Sequence, residues 1–229
     1  MCGRYSLASP PAKIRLTLPF TGDERLIQLR FNIAPTQLAP VIPPGGELKL
    51  MRWGLTPARA GGKGAAALLI NARSESVGVK PTFKHLLAHQ RCLVVADGFY
   101  EWKKAGAQRL PHRFQLAGRE PFAFAGLWDR GPDRQGKLEE HFVILTTRAN
   151  RVVQSLHDRM PVILTPEQGM AWLKEDWLPL SDAGFFEPLP AERLESYPVT
   201  PKLNNPRFDG PECLERWEGP SSSPELKLD

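Results

Sequence analysis

Seven strand-like runs crowd between residues 48 and 164, and they restrict the fold more than any other feature of this chain. They are LKLMRWG, AALLINA, RCLVVADGFYEW, HRFQLAG, PFAFAGLWD, HFVILTT and PVIL. Each is rich in β-branched or aromatic residues and is bounded by glycine, proline or polar clusters. Helical patterns are fewer and short, at Ser9–Leu18, Pro81–Gln90, Asn150–His157 and Pro166–Glu175. Two of these open on proline signals, KPTFKHLLAHQ and TPEQGMAWLKE. Strands and helices do not alternate, which argues against a doubly wound parallel sheet. The pattern predicts an α+β fold: one domain on a twisted, mostly antiparallel, barrel-like sheet or open barrel, with short flanking helices. At 229 residues and 41% hydrophobic composition, such a domain buries a large core without staples. It is expected to span 1–218, followed by a disordered tail at 219–229, GPSSSPELKLD. RAGGKGAAA (Arg59–Ala67) reads as a flexible loop, because its glycines order poorly and offer nothing to pack.

Several classes are excluded early. No apolar run approaches the roughly 18 residues of a membrane helix, and the N-terminus has no secretory pattern. Three cysteines, Cys2, Cys92 and Cys213, are too few and too odd in number for a disulfide framework, so a cytoplasmic setting is expected. His85, His89 and Cys92 share a stretch, but a structural zinc site needs a further ligand that the spacing does not supply. GGKG lacks the Ser/Thr and strand–loop–helix context of a phosphate loop. No metal and no cofactor are implied. Net charge is +5, yet residues 181–229 hold ten acids and five bases, so the first 180 residues carry about +10. Nineteen of the thirty basic residues are arginine, whose planar fork suits phosphate, so a polyanionic partner fits.

Cys2, directly behind the initiator methionine, poses the sharpest question. Removal of Met1 would join a free α-amine to a thiol on one residue, a 1,2-aminothiol that no internal cysteine reproduces. The plain alternative is a small thiol buried in the first strand. Polar stretches elsewhere interrupt the strands: FNIAPTQ (Phe31–Gln37), RWGLTP (Arg52–Pro57), INARSE (Ile70–Glu75), ADGFYEWKK (Ala96–Lys104) and LHDRMPVIL (Leu156–Leu164). Functional side chains concentrate in such places. Each also has a plain reading: Asn71 fixing a turn, Glu101 and Arg73 pairing on the surface, His157 capping the helix that precedes it.

Taken in order, MCGRY, FNIAPTQ, WGL-x-P, NARSE, RCL-x4-GFYEW, PFAFAGLW, ILTT, HDRMPVIL and NNP-x-FDGPECL strongly resemble the SRAP family, the SOS-response-associated peptidase or abasic-site processing proteins. The resemblance runs from Cys2 to about Leu214. It implies a compact α+β fold and capture of abasic sites in single-stranded DNA as a covalent crosslink. The α-amine of Cys2 would attack the ring-opened sugar aldehyde to give an imine, which the thiol closes to a thiazolidine. The family's catalytic residues then fall on Cys2, Asn71, Glu101 and His157. Arg4, Arg73 and Arg159 would clamp phosphates, and Trp102 and Pro35 would stack on bases. The expected partner is abasic single-stranded DNA, including single-strand/double-strand junctions, bound by a monomer without a membrane. The chain departs from the family where Ala58 and Arg59 stand in place of the usual tryptophan after WGL-x-P. Two other readings stay open: a cysteine peptidase using Cys2, His157 and Asn71, and a DNA-binding module without catalysis.

Overall fold

A computed structural model of the chain describes residues 2–56, 68–106, 108–132, 136–174 and 184–219. The expected tail beyond Gly219, residues 59–67 of the expected flexible loop and the Ala58–Arg59 departure lie outside the described residues. At the centre is a closed ring of five strands: β3 (Leu38–Ile42), β4 (Lys49–Trp53), β6 (Arg91–Ala96), β9 (Phe122–Pro132) and β10 (Leu138–Arg148). β4, β3, β6, β9 and β10 pair antiparallel in turn, and a parallel β10–β4 pairing closes the circle. The barrel expected from the strand runs is therefore closed. A second sheet orders β13 (Leu194–Pro198), β8 (Gln108–Leu116), β7 (Gly98–Ala105), β1 (Tyr5–Leu7) and β2 (Arg30–Ile33), all antiparallel.

The chain crosses from barrel to second sheet at Asp97–Gly98. Asp97 accepts from the Ser6 hydroxyl at 2.7 Å and the Ala8 amide at 2.6 Å, and pairs with Arg113 at 3.2 Å. The Arg113 guanidinium lies so close over Gly98 that a Cβ there would sit 2.8 Å from it, so a larger residue would displace the guanidinium from its contact with Asp97. Trp53, Phe142, Tyr5 and Phe124 fill the core between the sheets, Trp53 stacking on Phe142 at 6.2 Å. On the outer face of the second sheet, Tyr100 packs with Val199, Leu203 and Cys213 of the C-terminal segment.

Strand β10 determines where the site falls. Past its pairing with β9, it takes β5 (Asn71–Arg73) in parallel and β11 (Arg159–Pro161) antiparallel, so Thr146 faces Arg73 in one strand and Pro161 in the other. The NARSE and HDRMP motifs, more than eighty residues apart, become neighbours across one strand.

Helices form in the four stretches expected, two of them on their proline signals, but they are shorter. α1 covers Pro11–Thr17, α3 Pro81–His89, α4 Arg151–Gln154 and α5 Pro166–Trp172; a four-residue α2 at Ser74–Val77 was not expected. The Thr165–Gln168 capping box fixes the start of α5. The helix expected to reach His157 ends at Gln154. Asp158 O instead accepts from the Ala149 amide at 2.9 Å, folding the chain back beside the start of α4. His157 therefore lies past the last helical turn, in the loop that enters β11. PVIL divides between β11 and a short β12 (Ile163–Leu164) on the edge of β9.

Candidate active site around Cys2

Cys2 leads into β1 and is fully buried. Its thiol donates to Arg4 O at 3.9 Å, the carbonyl that also accepts from the Tyr100 amide at 3.0 Å. The N-terminal segment is thereby fastened to β7 one residue from Glu101. Asn71, the first residue of β5, donates from Nδ2 to the backbone carbonyl of Cys2 at 2.9 Å. Its Oδ1 is buried with no hydrogen-bond partner among the described residues. An orphaned buried acceptor costs on the order of 1–3 kcal/mol, so it marks a place where a donor is wanted.

Glu101 is only 4% exposed, which rules out a surface pair with exposed Arg73. Burial pushes its carboxyl up to about 7, with Asp158 adding to the rise and Arg109 opposing it. A carboxyl in that range exchanges protons near neutrality. Burial and the Glu101 charge push the Cys2 thiol well above its ordinary value. His157 is 30% exposed, and burial lowers its pKa while Asp158 pulls it back. Its Nδ1 lies 2.9 Å from the Arg159 amide and 2.9 Å from Asp158 Oδ1. The Arg159 and Asp158 contacts place different demands on the imidazole proton.

The arginines divide into two groups. Arg73 is exposed and makes no hydrogen bond or ion pair among the described residues. Arg159 is committed inward: Glu75 grips it with both carboxylate oxygens, and Nη2 also donates to Thr146 O. Arg4 is likewise committed, Nη1 donating to Asn32 Oδ1 at 2.6 Å and Leu203 O at 2.8 Å. Trp102 donates to Asn204 Oδ1 at 2.6 Å, with the guanidinium groups of Arg4 and Arg109 5.7 and 5.8 Å from its ring centre. Pro35 opens the turn between β2 and β3. The next residue, Thr36, holds φ at +74°, a strained value for a β-branched side chain. Thr36 is fixed there by Trp53 O at 2.8 Å and by Arg52, which donates to its carbonyl at 2.7 Å.

Three residues matter more than their sequence context suggests. Buried Asn32 donates Nδ2 to Leu203, Asn205 and Phe208 carbonyls, and Asp209 accepts from the Phe31 and Asn32 amides. Glu75 holds Arg159. Asp209 and Glu75 stand inside the FDG and NARSE motifs, but their partners are 177 and 84 residues away, beyond the reach of local pattern. Among the described residues, no group of three or more His, Cys, Asp or Glu is placed to hold a metal ion, and no helix is long and apolar enough to cross a membrane.

A closed mixed barrel joined to an antiparallel sheet, with a cysteine at the second position enclosed by asparagine and glutamate, defines a distinct class of single-domain protein. The chain belongs to the SOS response associated peptidase (SRAP) family, whose model matches residues 1–206. It is 34% identical to the abasic site processing protein YoqW of Bacillus subtilis, over 94% of this chain and 99% of that one. It is 29% identical to the abasic site processing protein YedK of Escherichia coli, over 94% and 99%. A crystal structure of a Bacteroides thetaiotaomicron protein shares the fold at a TM-score of 0.80, with 24% identity over 94% of this chain and all of that one.

Proposed function

We propose that this protein processes abasic sites in DNA, capturing them in single strands as a thiazolidine crosslink through Cys2 after removal of Met1. The relatives named for abasic-site processing support the substrate. The observation that carries the chemistry is the Asn71 hydrogen bond to the Cys2 carbonyl beside a carboxyl poised near 7. The neighbouring groups are arranged about the backbone of the terminal residue, where the α-amine would be, instead of activating the thiol.

In this reading the neutral amine adds to the sugar aldehyde, and loss of one water gives an imine. The thiol then adds across the C=N bond, its sulfur bonding to C1′ and its proton passing to nitrogen. Glu101 shuttles protons on and off the amine nitrogen and the departing water. Asn71 holds the Cys2 backbone and offers Oδ1 to the amine or a sugar hydroxyl. His157 donates to the ring oxygen as the closed sugar opens, and its lowered pKa suits a neutral imidazole acting as hydrogen-bond donor. Ring closure is intramolecular, so a thiol of raised pKa suffices at high effective concentration. A thiol peptidase needs the opposite, a cysteine whose pKa is lowered by a paired base, so the raised thiol weighs against that reading.

Incubation with an oligonucleotide containing one abasic site, followed by intact mass measurement, tests the proposal. The expected product is protein lacking Met1 plus DNA minus one water, resistant to heat without reductant. Cys2→Ser should give only an imine that needs borohydride for trapping. A heat-stable adduct from Cys2→Ser, or one that retains Met1, would overturn the mechanism.

A further inference from the structure

Glu75 is an exposed residue that binds no candidate catalytic side chain, yet it is tied to one through a short chain of contacts. Its carboxylate engages both Nη atoms of Arg159, Nη2 at 2.8 Å from Oε2. The guanidinium is anchored again on Thr146, at O and at Oγ1 across 3.4 Å, while its Nε is buried. The Arg159 side chain is only 14% exposed, although Glu75 itself is 54% exposed. α2, which directly follows β5, is therefore tied to β11, the strands β5 and β11 both pairing with β10 at Thr146. The bridge ends at the residue whose backbone amide donates to His157 Nδ1 at 2.9 Å.

That amide has a competitor. Asp158 Oδ1 stands 2.9 Å from the same nitrogen. A backbone N–H can only donate, so it selects an unprotonated Nδ1 and leaves the neutral ring's proton on Nε2. A carboxylate can only accept, so it selects Nδ1–H and strips Nε2 of its proton. The Asp158 side chain is 85% exposed, whereas the Arg159 amide belongs to β11, which pairs with β10 at Arg148 and is tied again through the Arg159 side chain to Glu75 and Thr146.

We infer that the Glu75–Arg159 pair is a tautomer latch: by fixing the Arg159 amide against His157 Nδ1, it keeps the neutral imidazole as an Nε2–H donor. Glu75 and Arg159 act here as positioning residues. Release of Arg159 lets the loop relax, and Asp158 then captures Nδ1–H. The functional consequence rests on the reading of His157 given above, but the tautomer itself is measured without DNA. Failure of the latch and failure of that reading are thus separate outcomes.

The experiment is two-bond proton–nitrogen NMR of the histidine rings in the full chain, at a pH where His157 is neutral. Unmodified protein should show His157 as the Nε2–H tautomer. Glu75→Ala should move it toward Nδ1–H at unchanged thermal midpoint, and adding Asp158→Ala should bring Nε2–H back. The exchanged pair Glu75→Arg with Arg159→Glu should also restore Nε2–H, although no arginine remains at position 159. Capture of abasic DNA by Glu75→Ala should be slower by about 10- to 100-fold, the usual effect of a misplaced donor. An Nδ1–H ring in the unmodified protein, or an unmoved tautomer in folded Glu75→Ala, would overturn the inference. A shifted tautomer with an unchanged capture rate would keep the latch and remove His157 from ring opening.

Discussion

Asn71 donates to the carbonyl of Cys2 across 2.9 Å while its own Oδ1 stays buried and unpaired among the described residues. One amide thus holds the second residue by its backbone and keeps an acceptor available beside it. Asn71→Ala should lose the tether and slow crosslinking by about 10- to 100-fold, at a stability cost of about 1 kcal/mol. Asn71→Asp should be worse than alanine, because a carboxylate would face the Cys2 carbonyl with no proton to donate. Single-turnover crosslinking beside urea unfolding of both variants checks the order. A faster Asn71→Asp than Asn71→Ala would mean that the contact to the carbonyl does not matter.

Glu101 makes folding sensitive to pH in a known direction. Its folded value of about 7 lies above the ordinary 4.5, so the folded state holds this proton more tightly than the unfolded chain. Unfolding stability contributed by this group is therefore greatest at low pH and declines as pH rises between those values. By about pH 8 the loss amounts to roughly 3 kcal/mol, the full cost of a buried charge. Glu101→Gln carries no such charge, so its advantage over the unmodified protein should grow across that window and then level off. Guanidinium unfolding of both proteins at stepped pH measures it, and parallel curves would place the carboxyl near its ordinary value.

Much of both sheets could be read from the chain because their longest strand pairs are local. GFYEW and HRFQLAG are hairpin neighbours, and PFAFAGLWD and HFVILTT form the long β9–β10 hairpin. Closure was not legible: it depends on β10 meeting β4 in parallel, a contact between segments about ninety residues apart that no periodicity signals. The candidate site shows the same division. Cys2 stands out by its place behind Met1, and Asn71, Glu101 and His157 as polar residues among strand-like runs, while their expected roles came from the family resemblance. An arginine in a motif, by contrast, looks the same whether it faces water or a buried acceptor. Arg4 and Arg159 turn inward while Arg73 does not, and only the fold distinguishes them. Strain at Thr36 was equally silent, since its φ is imposed by Trp53 and Arg52 from another strand.

Asn32 should be the main tie for the C-terminal segment. Its Nδ2 serves three carbonyls of residues 203–208 and its Oδ1 receives Arg4, and Asn32 itself is fully buried. Asn32→Ala strands these groups at once, and a loss of about 2–4 kcal/mol is expected. The segment should then become cleavable near Lys202 and Arg207, which limited trypsin digestion followed by mass measurement detects. Resistance equal to that of the unmodified protein would show that Tyr100 packing alone holds the segment.

The division among the arginines leads to the final prediction. Arg73 is exposed and makes no bond among the described residues, so Arg73→Ala should leave stability within about 0.5 kcal/mol. If it meets a phosphate, the slope of log affinity against log salt for single-stranded DNA should become shallower by about 0.7, one contact's share. Arg4→Ala should behave differently. It orphans buried Asn32 Oδ1 and leaves Leu203 O with only the longer bond from Asn32 Nδ2, so about 1–3 kcal/mol of stability should go. Any fall in DNA affinity would then come through the displaced C-terminal segment, at an unchanged salt slope. Fluorescence anisotropy titrations at four or more salt concentrations separate the two cases. A shallower slope for Arg4→Ala at full stability would place Arg4 on the DNA, and an unchanged slope for Arg73→Ala would take Arg73 off it.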